Sequence, residues 1–163
     1  LKLKIAGKSI DTGYEAEVHN AVYWTGLSES VEFLGEKSTE ELVELYQSCA
    51  LFVFPSTVET FGNPLVEAMS CGTPIASSNS AAMPEILGSA AIFFNPLDLS
   101  EMAQTITHLM GNEDVRKSLS KKSIVQSKKY SWRKTALQTA DVIKSVAPTR
   151  ISRDATKKMA SNS

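Results

Sequence analysis

The stretch Leu51-Phe52-Val53-Phe54-Pro55-Ser56-Thr57-Val58-Glu59-Thr60-Phe61-Gly62-Asn63-Pro64-Leu65-Val66-Glu67-Ala68-Met69-Ser70-Cys71-Gly72-Thr73-Pro74 decides the fold. Leu51–Phe54 is a short apolar run stopped by Pro55, which is the pattern of a strand buried on both faces. A loop of small and polar residues follows. Asn63–Gly72 then reads as a short, sharply bounded helix. Asn63 is a favoured N-cap. Pro64 suits the first helical position, where a missing N–H costs nothing. Gly72 is a good terminator just past the end. Gly62, ahead of the cap, removes a side chain where a ligand could approach the backbone.

The same alternation extends outward in both directions. Apolar runs at Leu3–Ala6, Val31–Leu34, Pro74–Ser77 and Ala91–Phe94 complete a set of five brief strands. Ser38 and Glu41 form a capping-box pattern, and Leu42, Tyr46 and Cys49 recur after it at helical spacing. Asp98 and Glu101 repeat the pattern before Met102, Ile106, Leu109 and Met110. Three helices, about 99–111, 113–129 and 132–146, close the chain, the last with Trp132, Ala136, Ala140 and Ile143 on one face. Alternating strands and helices predict an α/β fold, a Rossmann-like doubly wound parallel sheet.

The whole chain has 163 residues, of which 42% are hydrophobic and 21% charged. That is the composition of one soluble globular domain and excludes wholesale disorder. No run is long and apolar enough for a membrane span, and nothing at the start resembles a signal peptide. Two cysteines, Cys49 and Cys71, are too few for a disulfide scaffold, and the expected setting is cytoplasmic. The chain opens without Met inside a strand-like run, so it reads as a piece of a longer protein. The domain is expected over 1–147, with 148–163 a flexible polar tail.

Charge is segregated. Residues 1–115 carry four lysines against sixteen acidic residues, whereas 116–163 carry thirteen basic residues against two acidic. Two readings stand: solvated helix faces that balance the acidic half, or a surface for peripheral contact with an anionic membrane. Nucleic acid is disfavoured, because aromatic residues are not interleaved with these lysines.

In an open parallel sheet, ligands bind beyond the carboxyl ends of the strands. A helix start at that mouth offers free N–H groups and a positive dipole end, which together form an anion site. A diphosphate fits there, with backbone donors at Asn63 and Leu65. Glu67, about one turn and roughly 6 Å further along, is placed to accept hydrogen bonds from a ribose diol. Glu59 reaches toward the other end of such a ligand, where a sugar hydroxyl or developing positive charge would sit. The plainer alternative is that helix starts favour acids anyway and Glu67 faces solvent.

The run Pro55-Ser56…Glu59-Thr60-Phe61-Gly62-Asn63-Pro64-Leu65-Val66-Glu67-Ala68-Met69-Ser70-Cys71-Gly72-Thr73-Pro74 resembles the signature of the "group 1" retaining glycosyltransferases of the GT-B fold. Val31–Gly35 with Glu40-Glu41-Leu42, Met83–Leu87, Ala91–Pro96 and Tyr130-Ser131-Trp132 extend the likeness over about residues 1–146. The resemblance implies the C-terminal, nucleotide-sugar-binding half of a GT-B enzyme. Glu67 would bind the nucleotide ribose. Backbone groups of Phe61, Gly62, Asn63 and Leu65 would hold donor sugar and diphosphate. Glu59 would contact the donor sugar near its anomeric carbon, as the catalytic residue. The loop at Gly35 would border the base. The donor substrate would be a nucleotide diphosphate sugar, bound without metal or other cofactor. The acceptor would be a sugar, polysaccharide or lipid-linked hydroxyl, in cell-envelope synthesis.

Departures from the family pattern bear on this. The upstream Arg and Lys that meet the diphosphate, and the N-terminal acceptor domain, fall outside this sequence, so the chain alone is expected to be inactive. Gly7-Lys8-Ser9 stands where a second glycine is usual, and Ser80-Ala81-Ala82 replaces a glycine-rich loop. Rival readings are a GT-B-like epimerase or phosphorylase, and a non-catalytic nucleotide-sugar-binding module. Other motifs carry less. Gly7-Lys8-Ser9 is no P-loop, because the earlier glycine would fall on Lys2. His19 and His108 lack partners at metal-ligand spacing. Cys49, Cys71, Trp132 and the Met102–Met110 stripe read as core, and Pro84-Glu85 as a helix start or a donor-side contact.

Overall fold

The computed structural model describes residues 1–146. The boundary expected at 147 and the tail expected over 148–163 lie outside the described residues. Strands β1 (Leu3–Ala6), β2 (Val31–Gly35), β3 (Phe52–Phe54), β4 (Ile75–Ser78) and β5 (Ala91–Phe94) alternate with helices α1 (Thr12–Trp24), α2 (Thr39–Ser48), α3 (Asn63–Ser70) and α4 (Met83–Leu87). A 3-10 turn at Gly88–Ala90 links α4 to β5, and α5 (Leu99–Gly111), α6 (Glu113–Ser127) and α7 (Trp132–Val146) follow. Each expected strand is present, displaced by at most one residue at either end.

All strand pairs are parallel, as the intervening helices require. The ladder is divided: β1 pairs with β2, and β3, β4 and β5 form a second set with β4 central. Side chains alternate across β4 with period two. Ile75 joins a cluster with Leu65, Ala68, Met69, Met83, Ile86 and Leu87, while Ala76 joins another with Phe94, Leu109 and Leu119. Helices therefore cover both faces of the central strand, which is buried throughout. The Met102–Met110 stripe is core as expected, with Leu109 fully buried and Met102 packed beside it.

Two hydrogen bonds tie α6 to the sheet side of α3 and α4. Ser123 Oγ donates to the Thr73 carbonyl at 3.0 Å, and Gln126 Nε2 donates to the Ile86 carbonyl at 2.8 Å. Both α6 side chains are buried, and each ends on a backbone oxygen left free by a loop or helix end.

Three expectations need correction. Strand β1 is exposed at all four residues rather than buried on both faces, and among the described residues β2 is its only hydrogen-bonded neighbour. Trp132 is 83% exposed rather than core, and α7 buries none of its residues. Its apolar face finds no covering element among the described residues. Cys49 and Cys71 are half-buried rather than enclosed, and burial pushes both thiols above their ordinary range.

Candidate functional site

The chain leaves the carboxyl end of β3 at Pro55 and enters α3 at Asn63. Expectation and structure differ first at the cap. The N-cap is Gly62, held in the left-handed region at φ 74° and ψ 64°, and Asn63 is already helical. Leu65, fully buried, packs against this turn so closely that a Cβ on Gly62 would lie 3.1 Å from Leu65 Cδ1. The Asn63 side chain makes no capping bond and stands exposed at the helix start.

The donor set is correspondingly shifted. The Leu65 N–H donates to the Gly62 carbonyl at 2.9 Å, so it is engaged within the turn. The N–H groups of Phe61, Gly62 and Asn63 have no acceptor among the described residues. Three consecutive free donors at a helix N-terminus form an anion-binding arrangement.

Glu67 lies one turn further along the same helix, with its side chain exposed. The Tyr46 hydroxyl, brought in by α2, donates to Glu67 Oε2 at 3.4 Å. Burial, and next the Glu67 charge, push the Tyr46 phenol well above its ordinary range, so it remains a donor. Tyr46 is itself wedged by an edge-to-face contact with Phe52 of β3, ring centroids 5.3 Å apart. Its role at Glu67 was not read from sequence. A buried tyrosine on the apolar face of a helix requires a partner for its hydroxyl, and that was the available signal.

Glu59 is half-buried in the loop before α3. Ser56 Oγ donates to the Val58 carbonyl at 3.1 Å and approaches Glu59 Oε1 at 3.4 Å. Phe61 is 39% exposed and meets Tyr130 edge to face, with centroids 5.6 Å apart. The structure thus gathers Glu59, Phe61, Gly62, Asn63, Leu65 and Glu67 into one loop and helix start. Gly35 is separate. It ends β2 in the other ladder at φ 66°, and its carbonyl accepts from the Gly7 N–H at 2.9 Å. The link between the two places is α2, which starts just after Gly35 and ends at the Tyr46 contact with Glu67.

Two open hollows lie elsewhere. One, about 400 Å³, sits between α1 and β2 against His19 and Phe33. The other, about 420 Å³, is lined by Tyr46, Cys49, Cys71 and the start of α6. The start of α3 combines exposed Phe61 and Asn63 with buried Gly62 and Leu65. Among the described residues no three His, Cys, Asp or Glu side chains converge as a metal site. No described helix is long and apolar enough to cross a membrane.

Comparison with known proteins agrees with the fold. The family model for glycosyl transferases group 1 matches residues 1–126. The O-antigen chain mannosyltransferase B of Escherichia coli is 32% identical over 81% of this chain, which spans 35% of that relative. The serotype-specific mannosyltransferase WbdA of the same organism is 38% identical over 68% of the chain and 14% of its own length. Among solved structures, Anabaena Alr3699/HepE in complex with UDP superposes with a TM-score of 0.82 at 22% identity, over 90% of this chain and 41% of that one. The chain therefore spans about a third or less of the curated relatives it matches. Its architecture is the Rossmann-like α/β arrangement of GT-B glycosyltransferases, and the chain belongs to the glycosyl transferases group 1 family.

Proposed function

We propose that this chain is the nucleotide-sugar-binding half of a retaining glycosyltransferase. The enzyme would move a hexosyl group from a nucleotide diphosphate sugar to an acceptor hydroxyl in cell-envelope polysaccharide or glycolipid synthesis. The observation that carries the proposal is the start of α3. Three N–H groups with no acceptor among the described residues stand there, and a carboxylate that accepts from Tyr46 lies one turn behind them. The donors suit a diphosphate, and Glu67 suits the ribose diol next to it. Like charges keep the carboxylate from serving as a phosphate ligand, which separates the two roles. The names of the E. coli relatives, both mannosyltransferases, support a hexosyl donor. The UDP complex of the Anabaena protein supports a nucleotide diphosphate.

Negative charge grows on the leaving diphosphate as the glycosidic bond breaks. Donors already aimed at that place stabilise the transition state more than the ground state. Gly62 contributes by taking the left-handed turn into α3, with Leu65 packed where a side chain would stand. Glu59, on the loop ahead of the helix, is the group positioned for the sugar. Binding is proposed to be metal-independent.

Titration calorimetry of the chain with UDP, GDP and ADP tests this. At least one nucleotide should bind, with affinity unchanged by EDTA. Glu67→Ala should weaken that binding by about 1–3 kcal/mol, the range for losing a charged hydrogen-bonding partner. Equal affinity in the variant rejects the ribose assignment. No binding to any of the three rejects the donor-site reading.

A further inference from the structure

The loop that supplies the anion donors has few internal ties. Between Thr60 and Asn63 no backbone N–H is hydrogen-bonded among the described residues. Phe61 reaches out from this loop to a side chain far along the chain, Tyr130, just past the end of α6. The rings meet edge to face at 78°, with centroids 5.6 Å apart. Such a pair is favourable beyond the area it buries.

Tyr130 is well anchored. Its hydroxyl donates to the Ile86 carbonyl at 3.0 Å, and its N–H donates to the Ser127 carbonyl at 3.0 Å. The Ile86 oxygen is available because α4 ends one residue later. It also takes the Gln126 amide at 2.8 Å, so one carbonyl holds two α6-side groups. On the other side of Tyr130, α6 is clamped to the residues after α3 through Ser123 and Thr73. The Tyr130 ring is thus fixed from several directions, while the Phe61 loop is not.

We infer that Tyr130 is a positioning residue for the donor-binding loop, holding the Phe61 backbone in line for the diphosphate through the aromatic contact. The inference rests on the donor-site reading above and goes beyond it by assigning a role to α6. A loop set before the ligand arrives loses less freedom on binding. The contact therefore shows in nucleotide affinity, and Tyr130 itself need not touch the ligand.

A double-mutant cycle on the chain tests it, with the tightest-binding of UDP, GDP and ADP as probe. Tyr130→Leu should weaken binding about five-fold, within the range of an aromatic pair. Phe61→Leu should cost a similar factor, and the double variant little more than either. Tyr130→Phe, which keeps the ring, should restore most of the loss. Thermal melting of each variant separates a change in stability from the coupling. Independent, multiplying losses would show that Tyr130 serves stability alone and overturn the inference. If Tyr130→Leu does not fold, Phe61→Leu reads the same contact from its exposed side, and unchanged affinity there overturns it equally. Failure of the unmutated chain to bind any of the three overturns the donor-site reading, and this role with it. Normal binding with no coupling overturns this role only.

Discussion

Gly62 shows what a single residue can decide. At φ 74° a side chain is strained, and the Leu65 methyl already occupies the space a Cβ would need. Gly62→Ala should therefore destabilise the chain by about 1–2 kcal/mol, the cost of a left-handed non-glycine residue, measured by urea unfolding. A variant as stable as the parent would show that the turn has a second route of equal energy. Ala81 is the contrast. It is the one non-glycine residue with positive φ among the described residues, at 49°, in the loop where glycine was the family expectation. The cap itself was legible only to within one position. Asn63 and Gly62 are both cap-forming residues, and local sequence cannot choose between them. The choice falls to burial of Leu65, which is a property of the packed core.

At the scale of elements, two similar sequence patterns end differently. Ser38 and Glu41 close a full capping box on α2, each side chain meeting the other's backbone N–H. Asp98 caps α5, but Glu101 reaches past it to the Asn95 N–H at 3.1 Å. The Glu41 carboxyl is held below its ordinary value of 4.5, first by the Ser38 N–H and then by Lys37. A carboxyl depressed on folding adds stability above its unfolded value, and that contribution is lost as pH falls through the folded one. Melting temperature should thus decline below about pH 4.5, and Glu41→Gln should reduce the acid-side decline. An unchanged acid limb in the variant would mean the Glu41 charge contributes nothing to stability. Ser38→Ala should cost about 1 kcal/mol. Strand positions were legible because short apolar runs bounded by Pro, Gly or polar loops leave little choice of length. Helix α7 was legible as a helix but not as an exposed one. An amphipathic pattern announces that a partner is needed without saying where that partner is.

Across the whole molecule, the candidate site is built by contacts that no local pattern encodes. Its loop and helix could be read in one stretch of sequence. The braces, Tyr46 on Glu67 and Tyr130 on Phe61, come from α2 and from the end of α6. They meet only because β3 and β4 place α3 between those helices. Charge segregation, plain in the sequence, corresponds in the structure to an α6 whose lysines at 117, 121 and 122 are exposed. The division of the sheet was not legible, since strand runs reveal direction and length but not which neighbours are bonded.

That division has a consequence for handling the chain. Among the described residues, strand β1 has no bonded neighbour on the side away from β2, and its Leu3 and Ile5 are 52% and 38% open to water. Extended segments of other molecules can zip onto such a border, a known start of clumping. Light scattering should rise with concentration, and Ile5→Lys, which puts a cation on that border, should suppress the rise. Equal scattering from both forms would place the sticky surface somewhere other than this strand.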